Sequence, residues 1–198
     1  STRGNMTTVT GNDGSGVIYG CRELIDHVGQ YKDLKFPAQL TDAPEMVLRG
    51  GCVGIQKMEY LPGRGVYEYP YTPESFPWFY DKEQWIKYLD MLVENRMNSL
   101  YLWNGHPFAS LVKLEEYPFA VEVDEETFKK NEEMFSFLTA EADKRGIFVI
   151  QMFYNILLSK PFAEHYGLKT QDRNRPITPL VSDYTRKSVA AFIEKYPN

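Results

Sequence analysis

Two short apolar runs, SLYLW (Ser99–Trp103) and IFVIQMF (Ile147–Phe153), constrain most tightly what this chain can fold into. Each follows a stretch of helical periodicity by only a few residues, and each gives way to a long loop. Asp81, with Gln84 three residues on, is a capping-box variant opening a helix whose apolar stripe is Trp85, Tyr88, Leu89 and Leu92. Asp124 caps a second helix, with Glu125 and Glu126 in its first turn and Phe128, Phe135, Leu138 and Ala142 as its stripe. Lys144-Arg145-Gly146 ends that helix. Short strands apolar on both faces, alternating with helices, predict a parallel sheet.

The same rhythm extends in both directions. Glu45–Arg49 (EMVLR) reads as an earlier strand that ends at Gly50-Gly51. Ser182 reads as the cap of a last helix carrying Thr185, Val189, Phe192 and Tyr196. The chain reaches Pro197-Asn198 where a fourth strand is due. Every loop leaving a strand is long and every turn into a strand is short. All elaboration therefore falls at the C-terminal ends of the strands, as in a (β/α)8 barrel. A doubly wound nucleotide-binding sheet needs a glycine-rich turn running straight into a helix. Arg49-Gly50-Gly51-Cys52-Val53-Gly54 has the glycines, but the next helix starts some thirty residues later, which rules that reading out. The predicted fold class is α/β: the first part of a TIM-type barrel, about three β/α units, in a chain of 198 residues that is a fragment of something larger.

Ahead of the barrel, Met6–Gly11 reads as a strand, Asn12-Asp13-Gly14 as a turn and Ser15 as an N-cap. A helix from Gly16 to Val28 presents Val17, Cys21, Leu24 and Val28 on one face, and Gly29 closes it. This is too little for a domain. Residues 1–30 are read as the C-terminal end of a small α/β domain, residues 31–44, with two prolines, as a linker, and residues 45–198 as the N-terminal portion of the barrel.

Composition narrows the partners. A net charge of -5 argues against nucleic acid or anionic lipid, and no apolar stretch is long enough to span a bilayer. Cys21 and Cys52 read as buried free thiols. The three histidines are scattered without metal-ligand spacing, so neither a metal nor a cofactor is expected. Aromatic residues reach 15% and crowd the loops, where they either stack on sugar rings or pack the loops onto the core.

The segment Gly11-Asn12-Asp13-Gly14-Ser15-Gly16-Val17-Ile18-Tyr19-Gly20, with Glu23-Leu24, resembles the end of the small α/β domain preceding the barrel in several glycoside hydrolases. These are the xylan α-glucuronidases of families 67 and 115 and the β-hexosaminidases of family 20. NSLYLWNG resembles their second barrel strand, which ends in Asn, and Gly146-Ile147-Phe148-Val149 resembles the start of their third. The resemblance implies a secreted or periplasmic glycoside hydrolase acting on uronic-acid or hexosaminide O-glycosidic bonds of polysaccharides or oligosaccharides. In those families the general acid lies at the fourth strand or later, so the catalytic carboxylates are expected downstream of Asn198.

What this segment supplies is then substrate binding. Arg49, at the end of the first predicted strand, offers a planar guanidinium for a uronate carboxylate or paired hydroxyls, or else a salt bridge under the loops. Asn104 and His106 end the second strand, and Tyr154 and Asn155 the third, where they contact sugar hydroxyls or fix loops. Trp103 reads as core before platform, and Gln151 as pointing into the barrel interior. Glu59, Glu68 and Glu74, in the first long loop, read as solvated. The partners expected are a carbohydrate substrate and either the remainder of the same polypeptide or a second copy. A carbohydrate-binding protein without catalysis, or a sugar-acid lyase or isomerase barrel, are the competing functions.

Overall fold

A computed structural model describes residues 2–3, 6–33, 35, 39–61 and 65–198. At the N-terminus β1 (Thr2–Arg3) and β2 (Met6–Thr7) pair antiparallel as a two-residue ribbon. The strand expected over Met6–Gly11 is thus much shorter, because among the described residues its only partner is the two-residue β1. Helix α1 (Gly14–Tyr31) starts two residues before the predicted Gly16. Its cap is Asp13 rather than Ser15, with the carboxylate accepting the Gly16 N–H at 2.7 Å. A Cβ on Gly11 would lie 2.4 Å from the Val17 nitrogen, so the chain can enter this helix so tightly only with glycine there. The helix runs through Gly29 and ends at Lys32, whose φ of 59° makes the left-handed cap.

The stripe Val17, Cys21, Leu24 and Val28 meets no core, since no residue of α1 is buried. Polar contacts hold the helix instead. Tyr19 donates its hydroxyl to the Met97 carbonyl at 3.2 Å, Arg22 meets Glu94 at 3.3 Å, and Arg96 meets Glu23 at 2.6 Å. Beyond α1, residues 39–49 have no regular structure; residues 34 and 36–38 of the predicted linker lie outside the described residues.

The first sheet strand is β3 (Gly50–Gly54), not Glu45–Arg49. A Cβ on Gly50 would sit 1.7 Å from the Ser99 carbonyl oxygen and one on Gly51 2.4 Å from the Tyr88 hydroxyl, so the two glycines read as a strand end are what let the strand approach its neighbour and Tyr88. A hairpin follows, β4 (Met58–Leu61) against β5 (Gly65–Glu68), then helix α2 (Lys82–Glu94). Asp81 caps α2 as expected, accepting the Gln84 N–H at 3.0 Å. Next come β6 (Ser99–Trp103), the short α3 (Phe108–Leu111), α4 (Glu125–Asp143) and β7 (Phe148–Met152). Asp124 caps α4 through the Thr127 N–H, and Gly146 turns the chain at φ 64°. The short α5 (Lys160–His165) and the long α6 (Pro179–Lys195) complete the order. Thr178 caps α6, four residues before the predicted Ser182, because Pro179 is pre-set for the first helical position.

β3, β6 and β7 form a parallel sheet in sequential order, with Gly50 beside Ser99 and Ser99 beside Phe148. The protein is therefore mixed α/β around a parallel sheet. One face is covered: Leu100 and Leu102 are fully buried against Leu89, Leu92, Phe135 and Leu138 of α2 and α4. Gln151 shares that face with Val149 by strand alternation, so it does not point to the opposite side as expected. The other face carries Cys52, Tyr101 and Ile150 in one row and Gly54, Trp103 and Met152 in the next. No described element covers that face. Cys52 and Cys21 are accordingly both free and exposed, contrary to the burial expected of them.

The long loops are ordered by their aromatics. Tyr71, Phe76 and Phe79 join the main core. A satellite core under the third loop brings Tyr117, Phe162 and Tyr184 together, the last two stacked at 4.0 Å.

Candidate functional site

At the C-terminal ends of the three sheet strands the exits are laced together. Ile55, leaving β3, donates its N–H to the Trp103 carbonyl at 2.8 Å. Asn104 is buried and spans the strands: its Nδ2 donates to the Ile55 carbonyl at 2.7 Å, and its Oδ1 accepts the His106 N–H at 2.9 Å. The Gly105 N–H goes to Glu68 Oε1 at 2.7 Å, while the Gly105 carbonyl accepts the Tyr154 N–H at 3.0 Å. Glu68 comes from the end of β5, so the β4–β5 hairpin folds back under the β6 exit. A Cβ on Gly105 would lie 1.9 Å from Glu68 Oε2 and 2.1 Å from Leu157 Cδ1. Any side chain there would have to push the ends of Glu68 and Leu157 aside.

Behind this lacing lies an enclosed polar layer. Glu122 accepts the Tyr67 hydroxyl at 2.9 Å and the Lys160 N–H at 2.5 Å. His106 Nε2 meets the Tyr184 hydroxyl at 2.8 Å. Tyr67, Glu68, His106, Glu122 and Thr170 line a cavity of about 10 Å³, space for a single water at most. Glu68 Oε2 is buried there with no hydrogen-bond partner among the described residues.

Burial dominates the charges of the layer. It raises the Glu68 carboxyl, against the pull of the Gly105 N–H. It raises Glu122 to about 7, with the Lys160 N–H and the Tyr67 hydroxyl opposing. Tyr67 is pushed up by burial and then by the Glu122 charge, and His106 is held down at about 3 by burial and then by Arg175. At neutral pH the layer thus holds a neutral imidazole, and Glu122 is about half protonated. The layer fixes loops, and it is too closed to admit a sugar ring.

The open part of the site lies outside it. Trp103 is half-buried on the uncovered face, and its ring meets that of Tyr154 edge-on at 5.4 Å and 75°. Tyr154 and its neighbour Asn155 are exposed. Trp103 is therefore rim rather than core.

Of the residues singled out in the sequence, Asn104, His106, Tyr154 and Asn155 are brought to one end of the sheet, the first two as loop fixings and the others at the surface. Arg49 is not among them. It precedes β3 at the opposite, N-terminal end, because the strand begins after it. There its guanidinium donates to the Met46 carbonyl at 2.6 Å and the Arg96 carbonyl at 3.0 Å. Glu122 and Tyr67 were not legible as site residues, and Glu68, read as solvated, is buried instead. For Glu68 the signal was present: the MEYL and GVYE runs bracket Pro62-Gly63, a turn dipeptide that marks a hairpin. Glu59, by contrast, is exposed as expected and accepts the Tyr69 hydroxyl at 2.6 Å.

Fold and site together define a class: a parallel α/β sheet whose long strand-exit loops enclose an acidic layer under an exposed aromatic rim. No protein-family model matches the chain, and no curated protein does. Among solved structures it is similar to a GH138 enzyme targeting pectin rhamnogalacturonan II, at 80% identity and a TM-score of 0.92. The match covers 100% of this chain and 23% of that one, so the chain spans about a quarter of the length of the protein it resembles. That neighbour is a glycoside hydrolase of a family other than 67, 115 and 20.

Proposed function

We propose that the chain is the N-terminal portion of the catalytic (β/α)8 barrel of a glycoside hydrolase, with residues 1–30 ending a preceding small domain and 31–44 linking the two. The observation that carries this is the 80% identity over the whole chain to a GH138 enzyme targeting pectin rhamnogalacturonan II. Two structural features support the barrel: the sequential parallel order of β3, β6 and β7, and a sheet face left bare where parallel sheets are otherwise covered on both sides. The substrate is an O-glycosidic bond of the same pectic polysaccharide. Of the two sugar types expected from the sequence, the uronic-acid type is retained, since pectin is built from acidic sugars. Trp103, Tyr154 and Asn155 contact the sugar, and Asn104 and His106 hold the loops that present them. The carboxylate pair that cleaves the bond is contributed from beyond Asn198, and the enzyme acts outside the cytoplasm, where pectin is met.

The test is hydrolysis of rhamnogalacturonan II oligosaccharides by the longer polypeptide and by residues 1–198 alone. Cleavage is expected from the longer protein only. Cleavage by residues 1–198 would place the acid/base pair within this chain, and none by either would remove the hydrolase reading.

A further inference from the structure

Two asparagines do the same thing at two edges of the sheet. Asn98, one residue before β6, accepts the Arg49 N–H on its Oδ1 at 2.8 Å and donates its Nδ2 to the Val47 carbonyl at 2.9 Å. Asn198 accepts the Val149 N–H on its Oδ1 at 2.5 Å and donates its Nδ2 to the Ile147 carbonyl at 3.1 Å. In each case the side-chain amide bridges the N–H of one residue and the carbonyl of the residue two before it, at the start of the preceding strand. Each asparagine also follows its helix closely, Asn98 after α2 and Asn198 after α6. What the first clamp leads into is visible: the next residue, Ser99, donates its N–H to the Arg49 carbonyl at 3.0 Å and opens a parallel strand with Ser99 beside Gly50.

Resting on the barrel reading above, we propose that Asn198 is the register clamp of a fourth parallel strand, formed by the residues that follow it in the longer polypeptide on the outer edge of β7. The repeat fixes the pairing. Asn98 sits opposite Arg49 and Ser99 opposite Gly50; Asn198 sits opposite Val149, which sets the residue after it opposite Ile150. Its N–H then donates to the Val149 carbonyl, as that of Ser99 does to Arg49. β7 suits this partner. It pairs with β6 on one side only, so its other edge presents the Val149 and Gln151 backbone groups to an added strand. Register matters because a slip by one residue would turn every side chain of the new strand to the wrong face.

The experiment is site-resolved amide hydrogen exchange and a structure of the longer polypeptide, wild type and Asn198→Ala, with residues 1–198 as reference. The Gln151 N–H is expected to exchange readily in residues 1–198 and on the order of 100-fold or more slowly in the longer protein. The first residue after Asn198 is expected beside Ile150, and Asn198→Ala is expected to raise exchange at Val149 and Gln151 without raising it in β3. A protected Gln151 with any other register overturns the clamp while leaving the barrel intact. An unprotected Gln151 in the longer protein overturns both.

Discussion

Along β6, Leu100 and Leu102 alternate with Tyr101 and Trp103, and the two pairs live in different solvents. The leucines are fully buried under α2 and α4, whereas the aromatics share a bare face with Cys52, Ile150 and Met152. A strand apolar on both sides is made to be covered on both sides. One half of that cover is present within these residues. The contrast therefore separates the face that these residues cover by themselves from the face they leave bare. An apolar face of this kind marks a packing surface rather than an ordinary exterior.

The largest effect that would break the comparison comes from cutting each face in turn. Leu100→Ala leaves a cavity in the covered core and is expected to cost about 2–5 kcal/mol by urea denaturation. Ile150→Ala, half-buried on the bare face, is expected to cost residues 1–198 about 1 kcal/mol or less. In the longer polypeptide the same substitution is expected to cost as much as the leucine. Equal costs for Ile150→Ala in both contexts would mean that nothing covers that face.

The polar layer gives a second contrast, between two groups of opposite sign. Glu122 has its folded-state pKa raised from 4.5 to about 7, so its burial destabilises progressively as pH rises through that window. His106 has its folded-state pKa lowered from 6.5 to about 3, so stability is lost as pH falls below 6.5. Between about 4.5 and 6.5 the two slopes oppose each other. Glu122→Gln is expected to expose the histidine slope, with stability falling on acidification from about 6.5 by up to a few kcal/mol. His106→Asn is expected to expose the glutamate slope, with stability falling from about pH 4.5 to 7. Urea midpoints at a series of pH values decide it, and variants whose profiles match the wild type would show that neither group is buried in solution.

What the sequence made legible follows the same division. The covered face was readable because helical stripes such as Trp85, Leu89 and Leu92 carry their own period, and Asp81 and Asp124 cap their helices through purely local geometry. β3 was misplaced because its residues, Gly50-Gly51-Cys52-Val53-Gly54, look like a turn. They pair as a strand where Gly50 must lie close against Ser99 of β6 and Gly51 against Tyr88 of α2, which only glycine allows. Arg49 was carried to the wrong end of the sheet by that same shift. The acidic layer was hidden for another reason: Glu68, at the end of β5, and Glu122, in a loop, are 54 positions apart, and nothing local in the sequence says that the two meet at one cavity.

Arg49 now sharpens the contrast between the two ends of the sheet. Its guanidinium ties the Met46 and Arg96 carbonyls at the end away from the loops. Arg49→Ala is expected to lose about 1–2 kcal/mol of stability through those hydrogen bonds and, with rhamnogalacturonan II oligosaccharides as the assay probe, to leave KM unchanged in the longer polypeptide. A raised KM at unchanged stability would return Arg49 to the substrate.

The smallest effect is expected at the rim. Trp103 and Tyr154 touch each other edge-on across the β6 and β7 exits, where an aromatic pair gains only about 0.5–1.5 kcal/mol beyond the area it buries. Tyr154→Ala removes an exposed ring and leaves its backbone N–H still bonded to the Gly105 carbonyl, so the loop lacing survives. In the longer polypeptide it is therefore expected to weaken oligosaccharide binding about tenfold, or ~1.4 kcal/mol, with the urea midpoint unmoved. Asn104→Ala should do the reverse: it removes the Nδ2 bond to Ile55 and leaves buried backbone groups unpaired, so stability drops first and binding follows only through the disordered exits. Binding and denaturation measured on the two variants side by side separate a residue that touches sugar from one that holds the loop beneath it. If Tyr154→Ala lost stability and Asn104→Ala did not, those two roles would have to be exchanged.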